Sequence, residues 1–199
     1  MNHRRDELLH DLANLLTIAD SAFGVGEKDD AAASVSRAAR LLREWRLSQA
    51  KPGQIITVGE LITLSTPSND DGLEVQVNTR VASEVLAFEV RVLPGAPELI
   101  TRNVVYNAVT AKASRLVLEV STFNGCVVLT YADNGIGMDH TTLCRIGMLQ
   151  SGPGHEVHGL GTRIIHRNVF DMGANAHWRS ILNIGTEVSI QYPATRKTT

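Results

Sequence analysis

The chain has 199 residues, 43% of them apolar and 20% charged, and a formal charge of −2. These are the proportions of a folded globular protein with room for one domain and a small appendage. There is no basic excess for nucleic-acid binding, no apolar run near the roughly 20 residues of a bilayer span, and no apolar N-terminal stretch of the secretory kind, so neither nucleic acid nor membrane insertion is expected. Two cysteines, Cys126 and Cys144, are too few for a disulfide framework or a four-ligand zinc site, which points to a reducing cytoplasm.

Residues 1–51 read as a helical hairpin. Leu8, Leu12, Leu15, Ala19 and Phe23 recur at three- and four-residue steps, the spacing of one apolar helix face. The segment from Gly24 to Asp30 breaks that pattern, and Asp30 is placed to cap a second helix over residues 31–49 with Val35, Ala38, Leu42 and Trp45 on one stripe. Two such short helices are marginal alone. Their apolar faces are satisfied either by a second copy, giving a homodimeric four-helix bundle, or by the rest of the chain. Pro52-Gly53 marks the boundary to a second domain, residues 52–199.

Beyond that boundary, alternation predicts strands over 73–77 and 87–92, a helix over 97–111, and strands near 115–120 and 127–132. A loop with Gly147, Gly152 and Gly154 spans 139–158 and is long enough to be a lid. A helix over 159–172 and strands over 176–181 and 186–192 complete the domain. This order predicts an α+β fold, one sheet covered by helices on one face.

Polar and glycine signatures sit at the element junctions. Asn103 and Asn107 are four residues apart on one helix face, and amide oxygens are hard ligands suited to magnesium. Asp133 ends an apolar strand, where its carboxylate can accept from an exocyclic amine such as adenine's. Gly135 and Gly137 after it permit close backbone approach. Gly159-Leu160-Gly161-Thr162 opens a helix, whose free N–H groups favour phosphate oxygens, and Arg145 in the lid is long enough to reach phosphate. Upstream, His10 has Asp11 beside it and Asn14 and Thr17 along its helix face. Imidazole is a competent nucleophile when its other ring proton is accepted.

These motifs, in this order and over almost the whole chain, resemble the ATP-binding domain of sensor histidine kinases, gyrase, the ninety-kilodalton heat-shock chaperones and mismatch-repair ATPases. The resemblance implies the Bergerat fold, an α/β sandwich, with ATP and Mg2+ as ligands. By position it implies that Asn107 ligates magnesium with Asn103 assisting. Asp133 holds adenine, and Gly135, Gly137, Gly159 and Gly161 shape the pocket. Gly185-Thr186 matches the closing Gly-Thr, with Thr186 near the adenine-binding aspartate. Two positions depart from the pattern: Thr110 stands where kinases often carry Lys or Arg (Lys112 is two residues on), and Val157 replaces a glycine before Gly159.

Hydrolases of this superfamily carry a glutamate four residues before the magnesium asparagine. Here that residue is Asn103, and an amide is no general base at neutral pH. The segment from His10 to Thr17 resembles the phosphoacceptor box of histidine kinases, without the proline that often follows the histidine. The expectation is therefore a dimeric histidine kinase lacking its own sensor, driven by an upstream sensor protein in trans. It would pass the ATP γ-phosphoryl group to His10 and then to an aspartate of a response-regulator receiver domain. The alternatives are a histidine phosphotransfer protein with a degenerate ATP-binding domain and a serine kinase of the anti-sigma-factor type.

Overall fold

The computed structural model describes residues 52–67, 75–148 and 160–197, with scattered positions among the first 50. The chain divides into two compact units, Met1–Ala50 and Lys51–Thr199. In the first unit Ala13, Thr17, Ala31, Val35 and Ala38 are helical; Ala31 and Ala38 are buried, and Val35 and Thr17 are exposed. The Thr17 hydroxyl donates to the Ala13 carbonyl at 2.9 Å, a helical back-bond. The expected leucine stripe, His10, Asp11 and Asn14 lie outside the described residues.

The second unit runs β1 (Gln54–Thr57), α1 (Val58–Ser65), β2 (Gln76–Val81), a 3-10 turn (Ser83–Ala87), β3 (Phe88–Val92), α2 (Ala96–Thr110), β4 (Arg115–Phe123), β5 (Cys126–Asp133), α3 (His140–Met148), α4 (Leu160–Asp171), β6 (Asn175–Ile181) and β7 (Gly185–Arg196). The strand order is β1-β3-β7-β5-β4-β2, with β6 also on β7. One edge of β7 carries β5; the other carries β6 over residues 185–191 and β3 over 194–196. All pairings are antiparallel except β2 with β4.

Local chemistry explains these elements. Thr57 and Glu60 form a capping box at α1: the Glu60 amide donates to Thr57 Oγ1 at 3.2 Å, and the Thr57 amide to Glu60 Oε2 at 2.7 Å. The β4–β5 hairpin turns on Asn124 and Gly125, both at positive φ, the residue pair that a two-residue turn favours. Pro97 lies in the first turn of α2, where its missing N–H costs nothing.

The core lies on one side of the sheet. Leu116, Leu118 and Val120 of β4, Val127, Leu129 and Tyr131 of β5, and Val188, Ile190 and Tyr192 of β7 are buried together with Ile100, Val104 and Ala108 of α2 and Ile165 and Val169 of α4. The opposite face carries polar pairs such as Thr130 and Ser189, 3.0 Å apart. The one-sided α+β architecture agrees with the sequence expectation.

Three details differ. Residues 54–65 form β1 and α1, for which alternation gave no signal; Gly53 lies against the Val92 backbone, where a Cβ would meet the carbonyl oxygen at 2.5 Å. The strand expected at 73–77 lies at 76–81, because pairing with β4 rather than burial sets its register: it is an edge strand and mostly exposed. The expected loop over 139–158 begins with helix α3, capped by Asp139, whose Oδ1 accepts the Thr142 amide at 2.7 Å.

Candidate functional site

A cavity of about 360 Å³ opens between α2, α3, the start of α4 and the ends of β5, β6 and β7. Of the residues singled out from sequence, Asn107, Asp133, Gly137, Thr162 and Thr186 line it. Asn103, Gly135 and Gly161 do not line it but support residues that do.

Asp133 is the best-defined group. Its Oδ1 accepts the Gly135 amide at 2.8 Å and the Thr186 amide at 3.2 Å. Among the described residues no donor reaches Oδ2, so one oxygen is fixed by backbone while the other is available to a ligand. Asn134 is a strut: its Oδ1 accepts the amides of Ser114 and Arg115 at 3.0 and 2.9 Å, and its Nδ2 donates to Ser114 Oγ. Gly135 is buried against the end of α2, where a Cβ would stand 2.6 Å from the Ala111 carbonyl oxygen. The Ile136 amide donates to that same oxygen at 2.9 Å.

Residues 133–138 and 181–186 pack backbone against backbone. Gly137 has φ 63° and a Cβ there would fall on the Ile181 carbonyl oxygen; Gly185 has φ 144° and a Cβ would fall on the Asp133 carbonyl oxygen. Only glycine fits either position. Between them, the Ser180 hydroxyl accepts the Met138 amide at 2.7 Å, donates to the Gly185 carbonyl at 3.0 Å, and lies 3.0 Å from Thr186 Oγ1.

On α2, Asn107 faces the cavity, and among the described residues no partner holds its side-chain amide. Asn103, one turn earlier, donates from Nδ2 to the Leu99 carbonyl at 2.7 Å. Gly161 brings the first turn of α4 against both: a Cβ would lie 2.9 Å from Asn103 Oδ1 and 3.3 Å from Asn107 Oδ1. This places Thr162, which is buried, beside Asn107 at the cavity. Thr110 lines the cavity, and its hydroxyl donates to the Tyr106 carbonyl at 2.9 Å. Lys112 is exposed, at φ 58°, and does not line it.

Tyr131 forms part of the cavity wall, and its hydroxyl, 2.8 Å from Thr101 Oγ1, donates to the Ser65 carbonyl at 3.3 Å. Burial pushes its phenol up to about 12, despite hydrogen bonds to Thr101 and Ser65 that act the other way.

Gly159 and the side chains of Leu160 and Arg145 lie outside the described residues. Sequence reasoning missed Ser180, Tyr131, Trp178 and the apolar lining from Ile136, Met138 and Ile146. Only strand alternation signals Ser180: it shares a face of β6 with Trp178, also half-buried.

Among the described residues no helix is long and apolar enough to cross a membrane. The mycobacterial sensor histidine kinase MprB shares the fold at 18% identity and TM-score 0.57, over 73% of this chain and all of that one. The catalytic domain of histidine kinase ThkA, in a nucleotide-free form, gives 16% identity and TM-score 0.59 over 74% of this chain and all of its own. Full-length ShkA in complex with AMPPNP gives 19% identity and TM-score 0.56, over all of this chain and 45% of that one. No curated protein matches in sequence. Residues 94–196, more than half of the chain, match the family model of histidine kinase-, DNA gyrase B- and HSP90-like ATPases, and they contain every element that lines the cavity; the chain belongs to that family.

Proposed function

We propose that the protein is a histidine kinase that binds Mg2+–ATP in this cavity, phosphorylates His10 and serves a response-regulator receiver domain. The observation that carries the reading is Asp133: one carboxylate oxygen is locked by two backbone amides, the other has no donor among the described residues, and the residue lines a cavity of about 360 Å³. Oδ2 accepts the adenine amine, and Thr186 lies beside it. The complex of ShkA with AMPPNP supports an adenine nucleotide as the ligand of this fold.

At the other end, Asn107 and Thr162 meet the phosphate tail. With no partner among the described residues, the Asn107 amide oxygen suits magnesium, which takes few protein ligands and fills its remaining positions with water and phosphate. When bound, the ion neutralises charge on the phosphates. Among the described residues no group of three His, Cys, Asp or Glu side chains forms a rival metal site. Asn103 offers no base to activate water, so ATP waits for an acceptor other than solvent. Phosphoryl transfer then depends mainly on positioning and charge neutralisation. His10 supplies the nucleophile, Asp11 takes or orients its proton, and Asn14 positions the groups of the subsequent exchange. Homodimerisation through residues 1–51 and a cytoplasmic setting with a sensor in trans complete the reading.

Incubation with γ-labelled ATP and magnesium tests it. The expected product is acid-labile, base-stable phosphate on His10, absent from His10→Ala although that variant still binds nucleotide. Acid-stable phosphate points instead to the serine kinase, and nucleotide-independent phosphate uptake from a partner to the phosphotransfer protein.

A further inference from the structure

The Ser180 hydroxyl has one proton, and its three neighbours determine where that proton goes. The Met138 amide can only donate to it, at 2.7 Å, and the Gly185 carbonyl can only accept from it, at 3.0 Å. With the proton committed to Gly185, the contact at 3.0 Å to Thr186 Oγ1 is made by the Thr186 proton pointing at Ser180. Thr186 lines the cavity and Ser180 does not. Thr186 therefore turns only lone pairs towards a ligand, next to the Asp133 carboxylate that its own amide holds.

We propose that Ser180 is a positioning residue for base specificity: by fixing the Thr186 hydroxyl as an acceptor, it makes the cavity select purines with an amino group rather than an oxo group at position 6. This rests on the nucleotide-binding reading above. Two adjacent acceptors, Asp133 Oδ2 and Thr186 Oγ1, match the donors of a 6-amino group and leave the oxygen of a 6-oxo purine facing lone pairs. A mismatched polar pair in a closed site is costly. Without the Ser180 oxygen, Thr186 can swing its proton into the cavity and serve the oxo group instead.

The test is calorimetric binding of ATP and of inosine triphosphate to the full chain. Wild type is expected to prefer ATP. Ser180→Ala should contract that preference by roughly tenfold, and Ser180→Thr, which keeps the oxygen, should restore it. Thr186→Val should contract it as well, and Ser180→Ala added to Thr186→Val should contract it no further. Thr186→Val leaves the Met138 and Gly185 bonds of Ser180 in place, so with Thr186→Ser as its control it carries the test even if Ser180→Ala fails to fold. Equal weakening of both nucleotides by Ser180→Ala, or an intact preference in Thr186→Val, overturns the proposal and leaves nucleotide binding standing. A wild type that binds neither nucleotide removes the underlying reading together with it.

Discussion

The amide of Thr186 donates to Asp133 Oδ1 at 3.2 Å, joining two residues 53 positions apart in the chain. The end of β5 and the start of β7 thus hold one carboxylate oxygen from both sides, with the Gly135 amide as the second donor. Asp133→Asn is a clean probe of this arrangement. An amide oxygen can keep both backbone bonds while the NH2 replaces Oδ2, so a donor would face the adenine amine. ATP affinity should fall by roughly a hundredfold with the fold intact; calorimetry showing unchanged affinity would contradict the adenine role.

The backbone contact between the same segments gives a stability prediction. Gly185→Ala forces a Cβ at φ 144° onto the Asp133 carbonyl oxygen, and should destabilise the unit by about 2 kcal/mol or more. Gly125→Ala supplies the control: φ is 72° there, but nothing lies within 4 Å of a Cβ, so strain alone should cost about 1 kcal/mol. Chemical denaturation of the two variants tests the difference, and equal losses would mean that the packing of the two segments carries no weight.

Much of this site was legible in sequence because its motifs occupy junctions where polar and glycine residues interrupt apolar runs. Asp133 follows Val127–Ala132 directly, and Gly185-Thr186 opens a strand. The rest was not legible, for physical reasons. Ser180 looks like any small polar residue in an alternating strand; its importance comes from Met138 and Gly185, which the fold brings to it. Asn103 and Asn107 look equivalent by spacing, yet Asn103 bonds its own helix at Leu99 while Asn107 faces the cavity. β2 was misplaced because edge pairing, not burial, fixes it. Helix α3 was hidden among loop-like residues, although Asp139 ahead of Thr142 is a cap signal.

Tyr131 predicts an alkaline transition. Its phenol ionises near 10 in an unfolded chain and at about 12 when folded, so burial favours the neutral form. The stability linked to Tyr131 is fully present below pH 10 and is lost as pH rises from there through about 12. Tyr192, wholly buried, shifts in the same direction. The tyrosinate absorbance missing from Tyr131→Phe should therefore appear together with loss of secondary structure. Its appearance near pH 10 in the folded protein would contradict the buried hydroxyl network with Thr101 and Ser65.

Asn107 gives the metal prediction. Asn107→Ala removes an amide that has no partner among the described residues, so the fold should persist and thermal unfolding should move little. Nucleotide affinity in the variant should respond to magnesium at least tenfold less than in wild type, while affinity in chelator should be nearly equal for both. An undiminished magnesium response, measured by titration with and without chelator, would reassign the ion to other ligands.

The most direct measurement of the central claim is a calorimetric titration of wild-type protein with a nonhydrolysable ATP analogue in magnesium. Saturable binding of one nucleotide per chain is expected, weakened roughly a hundredfold by Asp133→Asn. An empty cavity at millimolar analogue, in folded wild-type protein, would leave His10 with no phosphoryl donor and contradict it.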